Sequence, residues 1–214
     1  MLFRSERILG DFKRGDFDIL VGTQMIAKGH DIHNVTLVGV ISADIQLGLP
    51  DFRAAERTFQ LLTQVSGRAG RGDLRGEVVI QTYFPDHYAI RAAAAQDYPG
   101  FYEKELRFRR AMQYPPFAAL ANILFRSTKM ELAMKWSGGL ARRIAERKWA
   151  GVRVLGPAAA PLARLKQEFR YQFLVKAQQR ATLHALLADA QAYAREQEVP
   201  PTGLIVDVDP LSLM

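Results

Sequence analysis

The sequence predicts a two-part α/β protein, a layer of parallel strands and helices followed by a domain of order β-α-β-β-α-β. Three observations carry this. Short apolar runs at residues 17–23, 36–44 and 76–84 are interleaved with helical patterns, as in a mostly parallel sheet. A Tyr-Pro-Pro-Phe string at 114–117 then stops a helix, because proline lacks the amide donor and pushes the preceding residue out of helical space. After it, alternating runs and amphipathic runs follow in the split-βαβ order of the ferredoxin-like (ribosomal S10-like) group.

Each element has its own signal. "FDILVGT" (17–23), "TLVGVISAD" (36–44) and "GEVVIQTYF" (76–84) are bounded by glycine or polar residues and read as strands. "DFRAAERTFQLLTQV" between the last two reads as a helix, with Asp51 as its cap. "DHYAIRAAAAQ" and "YPGFYEKELRFRRAMQ" read as connecting helices. Beyond the prolines come strand "AALANILFRS", helix "KMELAMKWSGGLARRIAERK" with a Gly-Gly weak point, and strand "VRVLGPAAAPLARLKQ", broken at Gly156-Pro157. Strand "FRYQFLVKA", helix "RATLHALLADAQAYAREQ" and strand "GLIVDVDP" close the chain. The expected organisation is a first domain over 1–90, a helical connector over 91–116 and a second domain over 117–214. Trp136 reads as core.

The bulk properties narrow the function classes. The chain has 214 residues, no cysteine and a net charge of +7, which excludes disulfides and thiolate metal sites. The charge is concentrated in residues 91–180, with 18 basic and 6 acidic side chains, where a polyanion is attracted. The first residues lack the apolar stretch of a signal peptide, and no apolar run approaches the roughly 20 residues of a membrane span. A soluble, cytoplasmic protein without membrane contact is expected.

"QVSGRAGRG" (64–72) sets two arginines among glycines, although glycine costs a helix about 1 kcal/mol relative to alanine. Continuing the helix over 54–71 at 100° per residue, Arg68 and Arg71 fall at about 40° and −20° from Gln64. Ala55, Phe59, Leu62, Val65, Ser66 and Ala69 occupy the opposite face. The apolar stripe then packs on the sheet, while Gln64, Arg68 and Arg71 project together. Guanidinium forks suit phosphate, and glycines let a bulky ligand approach the backbone. A bare arginine pair reads more simply as a solvated helix end; the full Q-x-x-G-R-x-G-R string is more specific, and matches motif VI of superfamily 2 helicases.

"GTQMIAKGHDIHNVTLV" begins at the carboxyl end of the first expected strand, where ligands of open α/β sheets sit, and resembles motif V of the same helicases. With "LLTQVSGRAGR", "YPPF", "VLGPAAAPLARLK", "FRYQFLVK" and "VDVDP", essentially the whole chain resembles the C-terminal part of the primosomal protein N′ family, bacterial replication-restart DNA helicases. The resemblance implies a partial RecA-like helicase lobe 2 followed by the split-βαβ domain. The activity it implies is that of an ATP-dependent 3′→5′ helicase that recognises stalled or branched forks and starts primosome assembly.

It also implies roles. Gln64, Arg68 and Arg71 contact ATP, and Gly29 and Asp31 line the same cleft. Thr23, Gln24 and Lys28 lie near the DNA backbone. The C-terminal domain binds branched and single-stranded DNA, other primosome proteins and the acidic tail of single-stranded-DNA-binding protein, the last expected at Arg170 with Lys166. ATP and magnesium are held mainly by a lobe 1 that this sequence does not contain; the family's zinc ligands are absent too. The chain is therefore expected to be a fragment that does not hydrolyse ATP alone. "DIHNV" departs from the family's usual Phe-Pro at that point.

Other residues point less far. His30 and His33 lack a third metal ligand. Asp44, Asp51 and Glu56 are carboxylates, but capping explains Asp51. Arg164, Lys166, Arg170 and Lys176 fall at even positions, so Arg170 and Lys176 are expected on an outer, solvent-facing side of the strand. Two alternatives stand beside the motor reading: a non-catalytic DNA- or protein-binding module, and lobe 2 of another superfamily 2 helicase.

Overall fold

A computed structural model describes residues 2–23, 35–70 and 75–213. The chain divides into two compact units, Met1–Leu49 with Arg53–Glu105, and Pro50–Phe52 with Leu106–Met214.

In the first unit, α1 (Leu2–Arg14), β1 (Leu37–Val40), α2 (Asp44–Leu47), α3 (Ala54–Ser66), β2 (Glu77–Ile80) and α4 (Tyr88–Ala94) follow in order, and α5 (Tyr98–Ala111) crosses the unit boundary. Strands β1 and β2 pair in parallel, Val38 with Val78 and Val40 with Ile80. α3 forms because Ala54, Thr58, Phe59 and Leu62 recur on one face and are buried. Phe59 stacks on Phe101 of α5 with ring centroids 4.1 Å apart. Ala43, Leu62, Ala89, Ile90 and Ala93 complete this core, against which Val40 and Ile80 pack.

One expectation fails here. Residues 17–23 form no strand, and Ile19 and Val21 are 78% and 83% exposed. An apolar run becomes a buried strand only where neighbours complete its ladder and cover its faces. Among the described residues the sheet of this unit holds β1 and β2 alone.

The second unit contains β3 (Ala119–Ser127), α6 (Met130–Arg147), β4 (Val152–Leu165), β5 (Glu168–Ala177), α7 (Arg180–Glu196) and β6 (Leu204–Val208). The sheet order is β4-β5-β3-β6 with every pairing antiparallel. β5 thus separates β3 from β4, and β3 separates β5 from β6, the split-βαβ arrangement expected from the sequence. Alternation sets the faces: Ala121, Ile123, Phe125, Phe173, Val175 and Ala177 meet Trp136, Leu140, Leu183, Leu186, Ala190 and Tyr193 of the two helices. Trp136 is core, as expected. β4 shifts register between Leu155 and Ala158, at the expected break, and again between Ala159 and Arg164.

The opposite face departs from expectation at one end. Lys176 is buried, donates from Nζ to the Met112 carbonyl at 2.9 Å, and lies 3.4 Å from the Tyr114 ring centroid. Burial, and secondarily the charge of Arg153, push its pKa down. Leu120, Phe52 and Leu213 are buried beside Tyr114 and Leu174. These covering residues come from distant parts of the chain, so strand parity alone did not reveal the cover.

Candidate functional site

Helix α3 ends at Ser66, with Gly67 as its C-terminal cap. The sequence expectation of one helix through residue 71 is therefore corrected: Arg68 lies in a turn. Its amide donates to the Val65 carbonyl at 2.9 Å, and that of Ala69 donates to Ser66 at 3.3 Å. Glycines at 67 and 70 offer a chain exit where helix continuation is unfavourable. Gln64 remains on the exposed side of α3, opposite Phe59 and Leu62, while Arg68 is half-buried.

The turn is tied to the sheet. Gly70 adopts φ +72°, the left-handed region that favours glycine. Its amide donates to the Val35 carbonyl at 3.0 Å, just ahead of β1. One residue further on, the Glu77 amide donates to Thr36 at 2.8 Å. Gly76 sits so close that a Cβ there would collide with the Gly70 nitrogen and the Ala69 carbonyl carbon. The arginine-bearing turn is thereby held at the amino ends of both parallel strands. Val35 belongs to the "GTQMIAKGHDIHNVTLV" string, so the described end of that string meets the arginine-bearing turn at this end of the sheet.

Thr23 is described and exposed. Gln24, Lys28, Gly29, Asp31 and Arg71 lie outside the described residues, as do His30 and His33. Among the described residues no group of three His, Cys, Asp or Glu side chains is arranged to hold a metal, and no helix is long and apolar enough to cross a membrane.

At the carboxyl ends of the strands, Asp44 latches the chain that leaves β2. It accepts from the Thr82 hydroxyl at 2.5 Å and from the Tyr83 amide at 2.9 Å. The Thr82 hydrogen bond, then the backbone amide, hold its pKa below the usual carboxylate range. Asp51 is not the cap of α3, since Arg53 occupies that position. Its neighbour Phe52 instead stacks on Tyr114, centroids 4.7 Å apart, within the second unit.

In the second unit Lys166 and Gln167 make the β4–β5 turn, with φ +49° and +66°, the signature of a type I′ hairpin. Lys166 is exposed. Arg170, half-buried on β5, donates to the Leu162 carbonyl at 3.3 Å. Sequence reasoning missed the residue that pairs with it: the register sets Arg126 of β3 directly opposite Arg170. Parity within β3 was available as a signal, but the pairing register was not.

Residues 110–211 match the Primosomal protein N C-terminal domain, and residues 4–73 match the Helicase conserved C-terminal domain. The chain belongs to the PriA family. It is 46% identical over 98% of its length to replication restart protein PriA of Bacillus subtilis, covering 26% of that protein. To the PriA of Synechocystis it is 41% identical over 96% of its length, covering 24%. For Haemophilus influenzae PriA the identity is 39% over 97%, covering 28%. The chain thus spans about a quarter of the length of the PriA relatives it matches.

Proposed function

We propose that this PriA-family chain supplies the second motor lobe and the accessory domain of an ATP-dependent 3′→5′ DNA helicase acting in replication restart. The observation that carries this reading is the Gly70 amide on the Val35 carbonyl, which ties the motif VI-like turn to the end of the motif V-like stretch. In this reading Arg68 and Arg71 meet the phosphates, with Gln64 beside them, and Gly29 and Asp31 line the cleft. Thr23, Gln24 and Lys28 follow the DNA backbone.

The donor set suits a triphosphate: guanidinium groups are planar, permanently charged and fork-shaped. Bound magnesium-ATP supplies the phosphoryl group to be transferred. The chain's own contribution is to place positive charge where negative charge builds up, a role worth roughly 10³–10⁵ in rate for an arginine supplied to a transferring phosphate. A phosphate cradle with its lysine and magnesium carboxylates belongs to the other lobe in this proposal. Branched and single-stranded DNA, primosome proteins and the acidic tail of single-stranded-DNA-binding protein are the proposed partners of the basic C-terminal domain. The domain division proposed is 1–90, 91–116 and 117–214, and the compartment proposed is the cytoplasm.

A DNA-stimulated ATPase assay tests the reading. This chain alone is expected to show no turnover, whereas a full-length PriA-family protein containing it turns over with DNA. Turnover that co-purifies with the isolated chain contradicts the division of labour.

A further inference from the structure

Arg126 and Arg170 face each other across the β3–β5 pairing, on the sheet face away from α6 and α7. Directly opposed residues in an antiparallel pair have Cβ atoms only about 4.5–5.5 Å apart, and like charges there destabilise the sheet. The fold compensates in part. Arg126 is ion-paired with Glu168 at 3.1 Å and donates from Nε to the Thr202 carbonyl at 2.5 Å. Among the described residues, Arg170 has no carboxylate partner; its contact is the Leu162 carbonyl. The same end of the hairpin carries Lys166 at its tip; Arg164, paired with Phe169 and with its guanidinium 5.2 Å from that ring, lies on the other face of the sheet. Three cations, Arg126, Arg170 and Lys166, and one carboxylate, Glu168, thus share this end of the face, with Leu162 and Leu165 exposed nearby.

We propose that Arg126 and Arg170 together form a binding site for the phosphodiester backbone of a nucleic acid, with Lys166 extending it at the hairpin turn. The inference rests on DNA being the partner of this domain and assigns the contact to residues. An opposed guanidinium pair on a fold surface is unfavourable until an anion bridges it, and arginine forks match phosphate oxygens two at a time. The cations are spread along a strand end and its turn, which suits a chain of repeated phosphates. Arginine clusters also take acidic peptides, so the acidic tail that the resemblance implies at Arg170 and Lys166 is the competing occupant; cations spaced along a strand end favour the repeated phosphates of a nucleic acid over it.

The test titrates a short fluorescein-labelled oligonucleotide, at two salt concentrations, into this chain and its Arg126→Gln, Arg170→Gln and Arg195→Gln variants. Arg195 is an exposed arginine of α7 and controls for net charge. Each of the first two substitutions is expected to weaken binding about tenfold, as for a charge-assisted contact, and to reduce the salt slope by about one phosphate. Arg195→Gln is expected to change little. Thermal melting of the Arg170→Gln chain is expected at or above the wild-type temperature, because the opposed charge is relieved. Equal losses for all three variants overturn the site. So does a labelled acidic peptide that binds in an Arg170-dependent way while the oligonucleotide binding is insensitive to Arg170. If the unaltered chain fails to bind the oligonucleotide at all, the DNA reading of the domain falls with it; normal binding with insensitive variants overturns this site alone.

Discussion

The Gly70 amide donates to the Val35 carbonyl across 3.0 Å, and this bond joins the end of the arginine turn to the chain two residues ahead of β1. Gly76 lies against the same turn with no room for a side chain. Together they give Gly70 a packing role besides any ligand role.

Gly76→Ala follows as a test of that packing. The added methyl must displace backbone of residues 69–70, and overpacking of this kind costs about 1–3 kcal/mol. Differential scanning calorimetry of this chain is expected to show a lowered transition. A variant that melts with the wild type would mean that the turn is free to move away from β2.

The Gly-Gly weak point of α6 splits into two unlike positions. A Cβ on Gly138 meets nothing, whereas one on Gly139 runs into the Tyr193 hydroxyl of α7. Gly138→Ala is therefore expected to stabilise the domain by about 0.5–1 kcal/mol through helix propensity. Gly139→Ala is expected to destabilise it by about 1–3 kcal/mol, because buried Tyr193 has to shift. Chemical denaturation of both variants decides the matter; equal effects contradict the helix–helix packing.

His87 gives a pH dependence. Its Nδ1 accepts from the Ala89 amide at 3.2 Å and caps α4. Burial holds its pKa below the ordinary value, outweighing the opposite pull of Glu105 and Asp44. The folded state prefers the neutral ring, so this contribution is complete above about pH 6.5 and is lost as pH falls through the lowered folded value. His87→Asn keeps a capping side chain that does not titrate. The wild type is expected to lose more melting temperature than His87→Asn between neutral and mildly acidic pH. Parallel pH curves for the two chains would remove His87 from the balance.

These tests also mark where the sequence was legible. The second unit read well because its signals are local: Phe169, Tyr171, Phe173 and Val175 alternate, and each helix carries its own apolar stripe. What escaped depended on distant partners. Lys176 was expected to face solvent, yet Tyr114 and Met112, some sixty residues earlier, cover it. Ile19 and Val21 looked like a buried strand, but burial is a property of the neighbours a run finds. The 100° periodicity continues through Arg71, but Gly67 stops the helix, and the end at Ser66 separates Arg68 from the regular face that holds Gln64. Arg126 was invisible as a partner of Arg170 until the β3–β5 register was known.

The most direct measurement of the central claim is DNA-stimulated ATP hydrolysis by a full-length PriA-family protein carrying this segment, compared with its Arg71→Ala, Arg68→Ala and Arg75→Ala forms. The arginine turn is predicted to act on the phosphates, so Arg71→Ala loses roughly 10³-fold or more in turnover while DNA affinity stays within a few fold. Arg68→Ala is expected to behave similarly with weaker nucleotide binding, and Arg75→Ala, at an exposed arginine just ahead of β2 and outside the motif VI-like string, to retain its rate. Near-normal turnover by Arg71→Ala would contradict the account.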